Sequence, residues 1–426
     1  MAFPTSPTDG QTYTNSNGTV FQYDSSEDRW FIIVTSLVRF NSGTSFPSNP
    51  TEDQLFWRED LETLYVFSTD AQAWIDVSSG SGSEPIIGGK NVIINGDMRI
   101  AQRGTSFASA GSNVYILDRW NYRKATTSAV HTVTQDSDTP NDQFNYSLKL
   151  DCTTADASVD ANDFIAIRQR VEGYNFRKFV GQQGVLSYWV KAGKTGTMCV
   201  SFKNDGVDRS YVVETTIDVA NTWEKKSVTL DFDYTGGTWD YTNGTGIAVT
   251  FAMLAGSTFQ TTADAWQSGN YTATSNQTNF VDNTDSTCDV WITGVQLELG
   301  ANDTEFEFVD HETQLSQCQR YYEKSYNYGS DPGSTGAAGR FDWYIYYQTT
   351  GNIWMPIEFN TRKRTNPTIR FWDGAGNLNR ISLWGPTANN QGGTTQSIGE
   401  HGFAMRTNSG NSKRGFYCHW DADAEL

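Results

Sequence analysis

Between residues 91 and 309 the chain falls into short runs in which apolar and polar residues alternate. Ser147-Leu148-Lys149-Leu150-Asp151-Cys152 and Val185-Leu186-Ser187-Tyr188-Trp189-Val190-Lys191 are of this kind, as is Phe164-Ile165-Ala166-Ile167-Arg168-Gln169-Arg170-Val171. A period of two is the signature of strands, whose successive side chains point to opposite sheet faces. About nine such strands in roughly 210 residues, with no amphipathic helix among them, predict a two-sheet antiparallel sandwich. One helix is expected after it, over 310–328. Asp310 is placed to cap it and Glu312 to lie in its first turn, with Leu315, Cys318 and Tyr322 on one face and Gln314, Gln317 and Arg320 away from it. From 329 to 426 the pattern is strand-like again. Phe341, Trp343, Ile345 and Tyr347 alternate with Asp342, Tyr344, Tyr346 and Gln348, which assigns the first set to the core and the second to solvent. The chain is therefore expected to be mainly β.

The first 80 residues repeat. Phe3-Pro4, Pro7-Thr8 and Gln11 recur 43 positions on as Phe46-Pro47, Pro50-Thr51 and Gln54; Tyr23 and Trp30 recur 44 positions on as Phe67 and Trp74. Two small β modules, 1–40 and 41–79, are expected, each centred on one Trp. Asn17-Gly18 supplies a hairpin turn in the first. Units this small bury little surface and lean on a neighbour. Residues 80–90, with Gly80-Ser81-Gly82-Ser83, read as a flexible linker.

Charge narrows the partners. There are 31 Lys+Arg against 49 Asp+Glu, a net charge of −18. Nucleic acid and anionic lipid attract the opposite balance, so neither is an expected partner. No apolar run is long enough to span a bilayer, and the N-terminus lacks the basic and apolar regions of a signal peptide. Five widely spaced Cys without a CxxC, and four scattered His, argue against a disulfide framework and a zinc site. Reduced, buried thiols in a cytosolic folding environment are expected.

No nucleophile elbow, metalloprotease helix, P-loop or dinucleotide-binding glycine pattern is present, and an enzyme is not expected. Asp97, Asp118 and Glu298 sit near the first and last sandwich strands and are candidate calcium ligands; otherwise no cofactor is expected. Flat rings beside amides and hydroxyls are what a saccharide site uses. The tail carries both, and Tyr344, Tyr346, Trp354, Trp372 and Trp384 are the glycan-binding candidates.

Several motifs together resemble a known family. Asn91-Val92-Ile93-Ile94-Asn95-Gly96-Asp97-Met98, Gln102-Arg103-Gly104-Thr105, Asp118-Arg119-Trp120, Val295-Gln296-Leu297-Glu298-Leu299-Gly300 and Gln317-Cys318-Gln319-Arg320-Tyr321-Tyr322 look like segments of bacteriophage tail-fibre proteins. Trp420-Asp421-Ala422-Asp423-Ala424-Glu425-Leu426 is similar to how such fibres end. The resemblance covers about residues 91–325 and the final ten. It implies a homotrimeric virion fibre assembled in the host cytoplasm. Its sandwich, 91–309, would be a jelly roll similar to carbohydrate-binding modules. Residues 1–79, with Trp30 and Trp74, would attach it to tail or head proteins of the particle. Leu315, Cys318 and Tyr322 would line the trimer axis. The distal domain, 329–426, would touch host surface polysaccharide. A purely structural connector and a surface-polysaccharide depolymerase spike are the alternatives.

Overall fold

The computed structural model describes residues 6–14, 20–26, 29–33, 41–51, 54–58, 63–68, 73–76, 89–233, 235–336, 338–349, 353–384, 391–407 and 413–426. Two compact units divide the chain, Met1–Gly88 and Gly89–Leu426.

In the first unit the sequence repeat is a repeat of hydrogen bonds. Gln11 Oε1 accepts from the Thr8 amide at 2.9 Å, and Gln54 Oε1 accepts from the Thr51 amide at 3.0 Å. The carbonyls of Gln11 and Gln54 then accept from the amides of Tyr23 and Phe67. Strands Thr12–Thr14, Val20–Asp24 and Arg29–Ile33 form an antiparallel sheet, with the Trp30 ring 5.5 Å from Tyr23 and 6.1 Å from Tyr13. Strands Asn41–Gly43, Leu55–Arg58, Thr63–Ser68 and Ala73–Asp76 form the second sheet, whose first pair is parallel. Trp74 stacks flat on Phe46 at 4.9 Å and packs on buried Phe56. The Asn17-Gly18 turn and residues 80–88 of the expected linker lie outside the described residues.

The second unit begins with the expected two-sheet sandwich. Its seven-stranded sheet runs, edge to edge, through Trp266–Ser268, Arg209–Ile217, Gly196–Lys203, Thr245–Ala255, Phe164–Glu172, Asn121–Ala125 and Val114–Tyr115. The six-stranded sheet runs through Glu224–Asp231, Gln183–Ala192, Val290–Leu299, Ser147–Thr154, Val130–Asp136 and Ser106–Phe107. All these pairings are antiparallel. The inward faces enclose a continuous apolar core around Trp120, Tyr188, Phe202 and Phe251, which are fully buried. All five cysteines are buried and free. No helix among the described residues is long and apolar enough to cross a membrane.

Asn95-Gly96-Asp97 closes one end of the sandwich as a buried turn. Asn95 adopts φ 59°, which Asn tolerates better than most residues. Its amide donates to the carbonyls of Ile100 and Asp118, and its carbonyl oxygen accepts from the Trp120 indole.

The helix is shorter than expected. It spans His311–Gln319, capped by Asp310, whose carboxylate accepts from the Thr313 amide at 3.0 Å. The chain then turns into strand Tyr322–Lys324. The tyrosines enforce this switch. Tyr321 donates to Glu172 at 2.7 Å and Tyr322 to Asp421 at 2.9 Å, so both are pulled inward. The buried helix face is Gln314 and Cys318, not the expected stripe. Gln314 is inward because it accepts from Arg99 Nε at 2.5 Å, while Leu315 is half-buried. Cys318 and Tyr322 lie inside a single copy of the chain, so they cannot line a three-fold axis.

The remaining strands form an eight-stranded sheet organised by one long strand, Lys413–Asp423. Tyr322–Lys324, Phe341–Thr349, Thr368–Trp372 and Arg380–Leu383 each pair with part of it. The residues beyond that strand return to the sandwich. Glu425 pairs with buried Arg119 and lies 3.3 Å from Arg103, which also reaches Asp423 at 3.4 Å. The Leu426 oxygen accepts from Tyr115 at 2.5 Å and from Arg170. Arg320 adds a two-pronged pair with Glu172, at 2.6 and 2.9 Å.

Candidate functional site

The outer face of the seven-stranded sheet carries a cleft of about 180 Å³. Its floor follows from strand parity and register. Phe164, Arg168 and Arg170 share one face of their strand because they are spaced by even numbers. Antiparallel pairing sets Asn121 and Thr250 on either side of Arg168, and Arg123 opposite Ala166. Lys203 arrives from the next strand, opposite Ala248. Val207, Phe259, Asn270 and Thr272 form the rest of the wall. Phe164 and Phe259 pack with ring centres 5.3 Å apart.

The polar groups are held by neutral partners. Lys203 Nζ donates to Thr272 Oγ1 at 2.6 Å and to Asn270 Oδ1 at 2.8 Å. Arg168 Nε donates to Asn121 Oδ1 at 3.1 Å, and Arg123 Nη1 to Asn113 Oδ1 at 2.9 Å. The Arg123 Nε is buried without a hydrogen-bond partner. No carboxylate lines the cleft. Burial pushes the Lys203 ammonium down to about 7, helped by Arg168 and Arg123. Burial, then the neighbouring Arg170 and Arg123, pushes Arg168 down to about 9. Such a site can hold a small ligand through hydrogen bonds, charge and the edge of an aromatic wall.

Of the tail aromatics, Tyr344 is 60% and Trp354 49% exposed, with the Arg406 guanidinium 5.4 Å from the Trp354 ring centre. Trp343, expected in the core, is 37% exposed. Its strand pairs only with Lys413–Asp423 among the described residues, and that pairing shifts after Tyr344, so the ring has a neighbour on one side alone. Trp372, a glycan candidate, is 7% exposed and packs edge-on to Tyr326, so its ring is closed to a ligand. Trp384 is half-buried against Tyr417 at 5.1 Å. The Tyr346 side chain lies outside the described residues.

The three candidate calcium ligands are not brought together. Asp97 pairs with Arg99 at 2.8 Å. Asp118 accepts from the Gln102 amide and side chain, both at 2.6 Å. Glu298 accepts from Thr304 N at 2.9 Å and Gln296 at 2.7 Å. Asp118 and Glu298 are occupied by protein donors, Asp97 is paired through one oxygen while its Oδ1 is buried without a partner, and no group of three metal-binding side chains occurs among the described residues. The cations of the cleft were not among the expected site residues. The one local signal for them was Arg168 and Arg170, two apart on a strand, without an acid between them.

No protein-family model matches the chain, and no curated protein matches it. Solved structures similar to it include the enzymatically active domain of bacteriophage CBA120 tailspike protein 4, at 18% identity and TM-score 0.28, covering 50% of this chain and 22% of that one. The match thus spans under a quarter of the tailspike chain. A CBM4 structure matches at 12% identity and TM-score 0.26, covering 48% of this chain and 98% of its own. The family 11 carbohydrate-binding module from Clostridium thermocellum, in complex with a β-1,3-1,4-mixed-linked tetrasaccharide, matches at 9% and 0.25, covering 47% and 99%.

Proposed function

We propose that the chain is a glycan-binding component of a bacteriophage fibre, attached through residues 1–79 and assembled as a trimer, and that it cleaves nothing. The observation that carries the reading is the outward cleft of the seven-stranded sheet, where the half-buried Phe259 ring, packed on buried Phe164, stands beside amide, hydroxyl and cationic donors. A saccharide offers the matching ring faces and hydroxyls. The exposed rings of Tyr344 and Trp354 provide a second contact surface in the distal domain. Weak sites of this kind gain strength when several copies engage one polymer. Hydrolysis of a glycosidic bond generally needs a pair of carboxyl groups, and none lines the cleft.

The test is a glycan array with the full chain, followed by adsorption to host cells and a reducing-end assay on any glycan bound. Retained glycan without new reducing ends is expected. Release of reducing ends would replace the reading with a depolymerase, and absence of any glycan binding would leave a structural connector.

A further inference from the structure

Most buried cations elsewhere in this unit have acidic partners: Arg119 has Glu425, Lys191 has Asp138, and Lys363 has Glu323 at 2.5 Å, while buried Lys324 donates to the carbonyls of Tyr328 and Ser330. Arg103 lies among Asp118, Asp423 and Glu425. The cleft departs from this rule. Lys203 and Arg168 are more than nine-tenths buried, Arg123 stands beside them, and their hydrogen bonds go to Asn and Thr oxygens. Arg170, at the same wall, donates to the Leu426 oxygen. In a chain of net charge −18, this is a concentration of positive charge with no Asp or Glu side chain on its walls. Desolvated like charges repel strongly, and bound negative charge relieves that cost.

We infer that this cleft binds an acidic saccharide: a sugar chain whose carboxylate, sulfate or phosphate group is received by Lys203, Arg168 and Arg123 while a ring rests near Phe259. The inference rests on the glycan-binding reading above and adds the charge of the ligand. The volume of about 180 Å³ suits the acid group and part of one sugar ring, not a length of polymer. The guanidinium of Arg123, with its Nε unpaired, offers a planar donor edge to an oxyanion. Neutral oxygens around Lys203 hold the ammonium in place without cancelling its charge. A nucleic acid fits less well, because its backbone needs a stripe of cations and the chain as a whole carries a net charge of −18.

Titration calorimetry on the full chain tests this with four probes: a galacturonate trisaccharide, a sulfated trisaccharide, a neutral galactose trisaccharide and a short single-stranded oligonucleotide. At least one acidic trisaccharide is expected to bind about tenfold or more tightly than the neutral one, by a margin that shrinks as salt rises. Comparing the carboxylate and sulfate arms identifies the acid group. Lys203→Gln and Arg168→Gln are each expected to lower acidic-sugar affinity about tenfold and so to narrow its margin over the neutral sugar. Arg123→Gln, at a half-buried position, gives the same reading if either of those chains fails to fold. Equal binding of acidic and neutral sugars, or acidic binding that survives all three substitutions, overturns the inference and leaves glycan binding standing. Tighter binding of the oligonucleotide than of any sugar overturns it in favour of a general polyanion site. Absence of binding by all three sugars here and across the array overturns both readings.

Discussion

Lys203 gives the cleft a measurable cost in the absence of ligand. Its ammonium is pushed down to about 7 from an ordinary 10.5. Between those values the unfolded chain holds a proton that the folded chain has released, so folding stability rises with pH across that window. The penalty is fully present below pH 7 and fades toward pH 10.5. For one group with these two constants, linkage gives a penalty of about 5 kcal/mol at pH 6.5 and about 3 kcal/mol at pH 8.5. Lysine 203 should therefore add about 2 kcal/mol of stability between those two pH values. Lys203→Met removes the titration. It also removes the hydrogen bonds to Asn270 and Thr272, but that loss is the same at both pH values and drops out of the difference. The facing charged groups are Arg123 and Arg168; the latter is pushed down to about 9, which is why the upper reading stops at pH 8.5. Urea unfolding of both full-length chains at the two pH values is the assay, read on hydrogen exchange of the strand Thr245–Ala255. The native chain should gain about 2 kcal/mol relative to the variant on going to the higher pH. Parallel shifts, differing by less than about 0.5 kcal/mol, would refute the claim that a buried, uncompensated ammonium sits in the cleft.

Three further outcomes follow from contacts already described. Glu425→Gln removes the acidic partner of buried Arg119 and one partner of Arg103, and should cost about 3–5 kcal/mol in urea unfolding, as removal of one member of a buried pair does. Tyr344→Ala combined with Trp354→Ala takes away exposed rings; melting should move by less than about 0.5 kcal/mol per site, while adsorption to host cells falls. Treatment with EDTA should leave the melting temperature unchanged, because Asp97, Asp118 and Glu298 belong to no group of three metal-binding side chains among the described residues; a drop of several degrees would reveal a metal held by one of them.

The sandwich was legible because a period of two is a local property: Phe164 to Val171 announces both its faces without reference to any other strand. The N-terminal repeat was legible for a similar reason, since Thr8–Gln11 and Thr51–Gln54 make the same short-range bond. Parity tells which face a residue occupies but not where the core ends, and that is how Trp343 came to be assigned inward. Leu315, Cys318 and Tyr322 satisfy helical spacing equally well whether the helix continues or stops at Gln319. The decision belongs to Glu172 and Asp421, which lie about a hundred or more residues away and bond the two tyrosines. The cleft was hidden most thoroughly, because four strands contribute to it. Only the register that sets Arg168 beside Asn121 and Thr250 gathers its cations.

The bond between Arg119 and Glu425 also has a time attached to it. The two residues are 306 positions apart in the chain. At ordinary rates of synthesis, roughly 15 to 60 seconds pass between the appearance of the arginine and that of its partner. During that interval the sandwich strands can emerge and pair, yet Arg119 and Arg103 have no Glu425 to receive them. A sandwich that closed over them early would bury two unneutralised guanidiniums, a state disfavoured by several kcal/mol each. Sealing of the sandwich end around Val114–Tyr115 and Arg119 is thus expected to follow the arrival of residues 421–426. A ribosome that stalls in the distal sheet leaves a sandwich that cannot seal, exposed to proteases before it can be assembled into anything.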